Sequence, residues 1–170
     1  MELQGNTFIL RGWQLTDAPS LQRNADNPYV CRYLLDRFPS PYTMEAAEGW
    51  VQMWQGQEPM VNFAIVSEDE VIGGIGLDFR IDVYRKSPLI GYWLAEPYWG
   101  MGIMPQAVKL VVDHAFNNLD VICLLAYVMG PNTASMRVLE KAGFTKQGVI
   151  PQSIIKDGEV WDEHLYVRNK

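Results

Sequence analysis

Cysteine is scarce in this chain: Cys31 and Cys123 are the only two, and they lie far apart. Two thiols supply neither a disulfide framework nor a four-ligand zinc site, so no metal is expected. Cys123, inside VICLLAYVM, reads as an inert core residue. Basic runs are missing as well. With a net charge of −6 and no block of Lys or Arg, the footprint of a nucleic-acid binder is absent, and a cationic or amine-bearing partner fits better. No apolar run approaches the roughly 18 residues that would span a bilayer. The opening MELQGNTFIL has neither the basic start nor the apolar stretch of a signal peptide, so a soluble, cytoplasmic protein without a membrane partner is expected. Repeats, low-complexity tracts and linkers rich in Pro, Gly or Ser are lacking too. What is present, 48% hydrophobic and 20% charged residues over 170 positions, suffices for one full core, and a single domain over residues 1–170 is expected.

Hydrophobic rhythm gives the order of elements. TFILRGW alternates like a strand, LTDAPSLQRNADN suits a short helix, and Pro28 to Pro41 is helical only in part. TMEAAEGWVQMWQG opens on a capping Thr, repeats apolar positions at helical spacing and stops at Gly56. VNFAIVS and EVIGGIGLDFRID, separated by Glu68-Asp69-Glu70, predict an antiparallel hairpin, and LIGYWLA a further strand. From Pro105 the pattern is helical, with Ala107, Val108, Val111, Val112 and Ala115 on one face. VICLLAYVM predicts a strand buried on both faces, NTASMRVLEKAGF a helix closed by Gly143, and strands follow near FTKQGVI and VWDEHLYV. The fold class is therefore α/β: a mixed, mostly antiparallel twisted sheet flanked by helices, with a central strand-helix-strand unit.

Gly100 and Gly102 sit at the turn of that unit, where unpaired amides and the positive end of the helix dipole face one point. Glycine tolerates positive φ and has no side chain to hold an anion away, so such a turn can bind phosphate; an ordinary tight connection is the alternative. A dinucleotide fingerprint would need a third glycine where Pro105 stands, and the Gly-Lys-Ser/Thr of a P-loop is absent. The GGIG of Gly73 to Gly76 runs on into a strand and reads as a bulge or a close backbone approach.

IGYWLAEPYWGMGIMPQAVKLVVDHAF followed by NTASMRVLEKAGF resembles the GNAT superfamily of acyl-CoA-dependent N-acetyltransferases, specifically its Rim-like branch, named for acetylation of ribosomal-protein N-termini. The likeness runs from about Val61 to Val167, and Phe8 to Gln55 fits the family's opening strand and helices. The resemblance implies a GNAT fold whose central strand-helix-strand unit binds acetyl-CoA as co-substrate. It implies that Trp99, Gly100, Met101, Gly102, Ile103 and Met104 hold the pyrophosphate. The backbone of Tyr92, Trp93, Leu94 and Ala95 would bond the pantetheine arm, with Asn132 as a further contact. The family's Arg/Gln-x-x-Gly-x-Gly/Ala pattern departs here at Trp99, common in the Rim-like branch, and at Met104, where a small residue is usual.

Acetyl transfer needs a neutral amine, donors for the oxyanion and a proton for the departing thiolate. Ser135 matches the serine proposed as proton donor in part of the Rim-like branch, and Leu139 stands where other members carry a tyrosine; a serine in the first turn of a helix is equally ordinary. Asn132 doubles as an apt helix N-cap. By the resemblance, the acid that many Rim-like sequences place before IGY is Leu89 here and an acidic position that some use in the late loop falls at Ile154, which leaves Asp78, with Asp82 behind it, as candidate base, and Tyr92 to position a water. His114 and His164 read as structural. Trp50, Trp54, Tyr92, Trp93 and Tyr98 read as core or groove wall, with Trp50 and Trp54 able to line an acceptor site. The expected activity is transfer of an acetyl group to a primary amine, on a peptide or protein N-terminus or on a polyamine, amino acid or aminoglycoside. A CoA-binding module without transfer activity is the alternative. A homodimer is left open.

Overall fold

Eight strands and five α-helices make up the computed structural model of the chain, which describes residues 1–170: β1 (Glu2–Gln4), β2 (Ile9–Arg11), α1 (Ala18–Ala25), α2 (Pro28–Cys31), α3 (Met44–Trp54), β3 (Asn62–Ser67), β4 (Glu70–Asp78), β5 (Leu89–Leu94), α4 (Ile103–Asn118), β6 (Cys123–Met129), α5 (Thr133–Lys141), β7 (Thr145–Lys156) and β8 (Glu159–Asn169). Strand β1, pairing Glu2 with Arg11, is too short to leave a pattern in the sequence. The β1–β2, β2–β3, β3–β4, β6–β8 and β7–β8 pairings are antiparallel and β5 pairs with β6 in parallel, as a mixed sheet requires. The chain divides into two compact units, Met1–Gly76 with Tyr92–Ala107 and Leu77–Gly91 with Val108–Lys170. The strand order is β1-β2-β3-β4 in the first unit and β5-β6-β8-β7 in the second, β5 beginning in the second and ending in the first.

In the first unit, the β3–β4 hairpin turns on Glu68 and Asp69 alone, both left-handed at φ 50° and 64°, with Ser67 opposite Glu70. Two left-handed residues match the twist of the flanking strands. Of the two readings of GGIG, the close approach holds, since a Cβ on Gly73 would lie 2.6 Å from the carbonyl oxygen of Trp93, whereas the register slip between Ile65 and Val66 leaves Ile72, just before GGIG, unpaired with β3. Thr43 caps α3 by accepting the Ala46 amide at 3.2 Å. The core gathers Leu21, Ala25, Ala47, Val51, Ala64 and Val71 beneath α1 and α3. A buried, bidentate ion pair, Arg11 to Asp17 at 2.8 Å through both nitrogens, ties β2 to the turn before α1. Asp17 also accepts the Gln14 amide, so its lone pairs are well used.

In the second unit, β6 departs from expectation. Leu124, Ala126 and Val128 are buried, but Cys123 is only half-buried and Tyr127 is 42% exposed, so the strand alternates rather than burying both faces. Strands β7 and β8 extend well beyond the predicted stretches, because Asp157 (φ 50°) and Gly158 (φ 82°) form a tight hairpin turn between Lys156 and Glu159. Helix α5 ends as predicted: Gly143 is left-handed at φ 84°, and the Gly143 and Phe144 amides donate to the carbonyls of Glu140 and Leu139.

Candidate functional site

Helix α4 starts at Ile103, two residues before the sequence-based start at Pro105, so Ile103 and Met104 belong to its first turn. Pro105 is tolerated there because amides of a first turn have no partner within the helix. Gly100 and Gly102 are both left-handed, φ 77° and 75°, and a Cβ built on either would meet no atom within 4 Å. Backbone conformation, not crowding, requires glycine at these two positions. The amides of Gly100, Met101 and Gly102 are bonded to no other group of the chain. Ile103 and Met104 turn inward, Met104 being only 6% exposed, while Met101 is exposed. This is an open backbone cradle at the head of a 16-residue helix, a fitting anion site.

Trp99 anchors the cradle. Its indole Nε1 donates to the Leu94 carbonyl at 2.7 Å, tying the turn to the end of β5 although the residue is 48% exposed. The Ala95 amide donates to the Ile72 carbonyl of β4 at 2.8 Å, and the Trp93 carbonyl lies over Gly73. Because successive residues of a strand turn their backbone groups to opposite edges, Trp93 and Ala95 address β4 while Tyr92 and Leu94 address the other edge. Two of the backbone groups expected for the pantetheine arm, the Ala95 amide and the Leu94 carbonyl, thus carry bonds within the chain. Tyr92 and Trp93 are half-buried, and Tyr98 lies in the short turn Glu96–Tyr98.

Of the aromatic candidates, Trp50, Trp54 and Trp93 pack against one core cluster of the first unit. Trp50 stands 6.1 Å edge-on to Trp13 and 5.7 Å from Trp54. Phe38 lies 4.9 Å from Tyr42 and 5.8 Å from Trp93. Phe38 and Tyr42, in the irregular stretch before α3, gave no periodic signal and were not singled out from sequence. Burial pushes the Tyr42 hydroxyl up to about 12.

In the second unit, Asn132 caps α5: its Oδ1 accepts the Ser135 amide at 3.2 Å, which leaves Nδ2 as a donor. Ser135 is half-buried in the first turn. Asp78 ends β4 and is exposed; Asp82 is left-handed at φ 60° and exposed. The structure therefore groups Tyr92 to Ala95 with Trp99 to Met104 in one unit, and Asp78, Asn132 and Ser135 in the other. His114 is buried, its Nδ1 3.2 Å from the Asn118 amide, in keeping with a structural role. His164 differs: its Nδ1 is shut off from solvent with no partner, and burial holds its pKa below 6.5, with Lys146 acting the same way and Asp162 opposing. No group of three or more His, Cys, Asp or Glu side chains is arranged to hold a metal, and no helix is long and apolar enough to cross a membrane.

A mixed sheet whose parallel pair leads through a left-handed glycine turn into a helix N-terminus defines an acyl-CoA-dependent acetyltransferase of the GNAT type, and the family model for that acetyltransferase (GNAT) domain matches residues 7–145. The chain belongs to this family, in its Rim-like branch, and is an N-acetyltransferase. It is 35% identical to YjcK of Bacillus subtilis (strain 168), named a probable N-acetyltransferase, over 95% of this chain and 93% of the relative. It is 32% identical to the ribosomal-protein-serine acetyltransferase of Escherichia coli (strain K12), over 74% of this chain and 69% of the relative. The structure of RimL, a ribosomal-protein α-N-acetyltransferase solved with coenzyme A, superposes with a TM-score of 0.85 at 23% identity, over 99% of this chain and 98% of that one.

Proposed function

We propose that residues 1–170 act as one domain that transfers the acetyl group of acetyl-CoA to a primary amine, the α-amine of a peptide or protein N-terminus, by direct attack in a ternary complex. The observation that carries this reading is the pair of left-handed glycines with unbonded amides at the head of α4, whose geometry suits a pyrophosphate. The acceptor is supported by the relative named for ribosomal-protein serine acetylation.

Acetyl-CoA would supply the acyl group as an activated thioester. Gly100 to Met104 would hold its phosphates through backbone amides, with Trp99, whose own amide donates to the Glu96 carbonyl, keeping the turn in shape through Leu94. The backbone of Tyr92 and the Leu94 amide, with Nδ2 of Asn132, would orient the pantetheine amides. Asp78, through a water placed by Tyr92, accepts a proton from the acceptor ammonium, so that the neutral nitrogen can form its bond to the acyl carbon. As the carbon–sulfur bond breaks, the nitrogen gives up its second proton to solvent, and the Ser135 hydroxyl donates its proton to sulfur and regains one from solvent.

Leu89 and Ile154, standing where many relatives carry acids, favour a second reading: a CoA-binding module without transfer activity. Thiol release from acetyl-CoA separates the two. Release that depends on a peptide with a free N-terminus is expected, whereas tight CoA binding with no release above background for any peptide or small amine would leave only the binding module.

A further inference from the structure

We propose that the aromatic cluster of the first unit selects the acceptor. It would favour an α-amine next to a carbonyl group, on a residue with an aromatic or bulky apolar side chain. This rests on the acetyltransferase reading above and narrows its substrate class.

The cluster runs without a break from α3 to β5. Trp54, Trp50 and Trp13 follow one another in contact, and Tyr42, Phe38 and Trp93 do the same. Gly74 joins the two rows. A Cβ there would lie 2.7 Å from Trp93 Nε1 and 3.4 Å from Trp13 Cζ2, so the missing side chain lets both indoles settle on the sheet. Trp93 belongs to the strand segment whose backbone is assigned to the cofactor, which connects the cluster to the reaction.

Polar satisfaction singles this cluster out. Tryptophan and tyrosine normally pair their N–H or O–H when buried. Trp13 does, donating to Asn62 Oδ1 at 2.8 Å. The indole nitrogens of Trp50 and Trp54 are shut off from solvent with no partner. Tyr42 is 3% exposed, and its hydrogen bonds within the chain run through its backbone, with Asp26 and Gln22. Two unpaired donors, four residues apart on α3, make a site that lacks its acceptors.

The chemistry of those groups selects the occupant. An indole nitrogen only donates, so it asks for oxygen lone pairs, while the rings offer faces and edges to an apolar or aromatic group. Every peptide N-terminus and every amino-acid amide places a carbonyl beside its α-amine. Polyamines have none.

The test uses acetyl-CoA with phenylalanine amide and alanine amide, and with peptides of one sequence headed by Phe or by Ser, on wild type and on Trp50→Phe, Trp54→Phe and Tyr42→Phe. Each substitution keeps an aromatic ring and deletes a donor. The Phe-headed acceptors are expected to have at least about tenfold higher kcat/KM, and each variant to lose about three- to tenfold of that preference, chiefly through KM, as loss of one hydrogen bond implies. CoA affinity by calorimetry should not change. Amides and peptides behaving alike would identify the amino-acid head as the recognised part; peptides alone showing the preference would identify a longer chain, and either supports the proposal. Equal kcat/KM for Phe- and Ala- or Ser-headed acceptors would overturn it. So would a preference kept in all three variants, since the N–H groups would then serve only packing, as an indole edge against a ring face can. Acceptor binding is read separately from the tryptophan fluorescence of the CoA-loaded protein. Saturable binding of phenylalanine amide without thiol release would support this inference and sink the transfer reading, and no discrimination from alanine amide in that titration would overturn the inference itself.

Discussion

Replacing Gly102 by Val perturbs one dihedral requirement and little else. Gly102 is left-handed at φ 75°, and an added Cβ would touch no chain atom within 4 Å, so the fold has room for the new volume. The strain comes from the backbone: a residue with a Cβ in the left-handed region costs roughly 1–2 kcal/mol, more when β-branched. The turn then either keeps its shape under strain or relaxes to negative φ and swings its amides away. Both outcomes damage an anion cradle. CoA affinity measured by calorimetry should fall at least tenfold, about 1.4 kcal/mol, whereas a pantetheine derivative without the pyrophosphate should lose nothing. Gly56→Val supplies the control. Gly56 is also left-handed, at φ 68°, with nothing within 4 Å, but lies in the turn after α3; it should show the same loss of stability in urea with CoA affinity intact. Equal CoA affinity for wild type and Gly102→Val would refute the reasoning.

Ser135→Ala should lower kcat by roughly 10- to 10⁴-fold with little change in CoA affinity; wild-type turnover would mean that water protonates the thiolate. Asp78→Asn should abolish the limb of the kcat/KM–pH profile set by the free enzyme, and superimposable profiles across several amines would remove Asp78 from the reaction. Asp17→Ala should destabilise the protein by about 3–5 kcal/mol in urea unfolding, because it leaves the buried Arg11 guanidinium without its carboxylate. His164 sets a pH dependence. Its folded pKa lies below 6.5, so as pH falls through 6.5 the unfolded chain takes up the proton first, and stability declines until the folded pKa is passed. His164→Gln should flatten that part of the stability curve between pH 7.5 and 5.

Elements with strong periodicity or punctuation were legible from sequence. The Thr43 cap, the β3–β4 hairpin, the apolar face of α4 and the Gly143 stop all fall where local chemistry puts them. The glycine turn was legible too, since two glycines ahead of an amphipathic run have few uses. Other features depend on distant partners. Nothing around Trp99 announces that its indole reaches back to Leu94, and the Arg11–Asp17 pair spans two elements whose packing no local pattern encodes. The alternating burial of β6 was missed because an apolar run looks alike whether one face or two are covered. The β7–β8 hairpin exceeds the expected strands for a different reason: Asp157-Gly158 is a tight-turn pair that carries the pairing right up to Lys156 and Glu159.

Mass spectrometry of the product identifies most directly the nitrogen that receives the acetyl group. A peptide with a free N-terminus and an internal lysine, incubated with the protein and acetyl-CoA, should gain one acetyl group on the α-amine, none on the lysine, and release one thiol per acetyl group. No acetylated peptide under conditions where CoA binds and a small amine is acetylated would contradict transfer to a peptide α-amine.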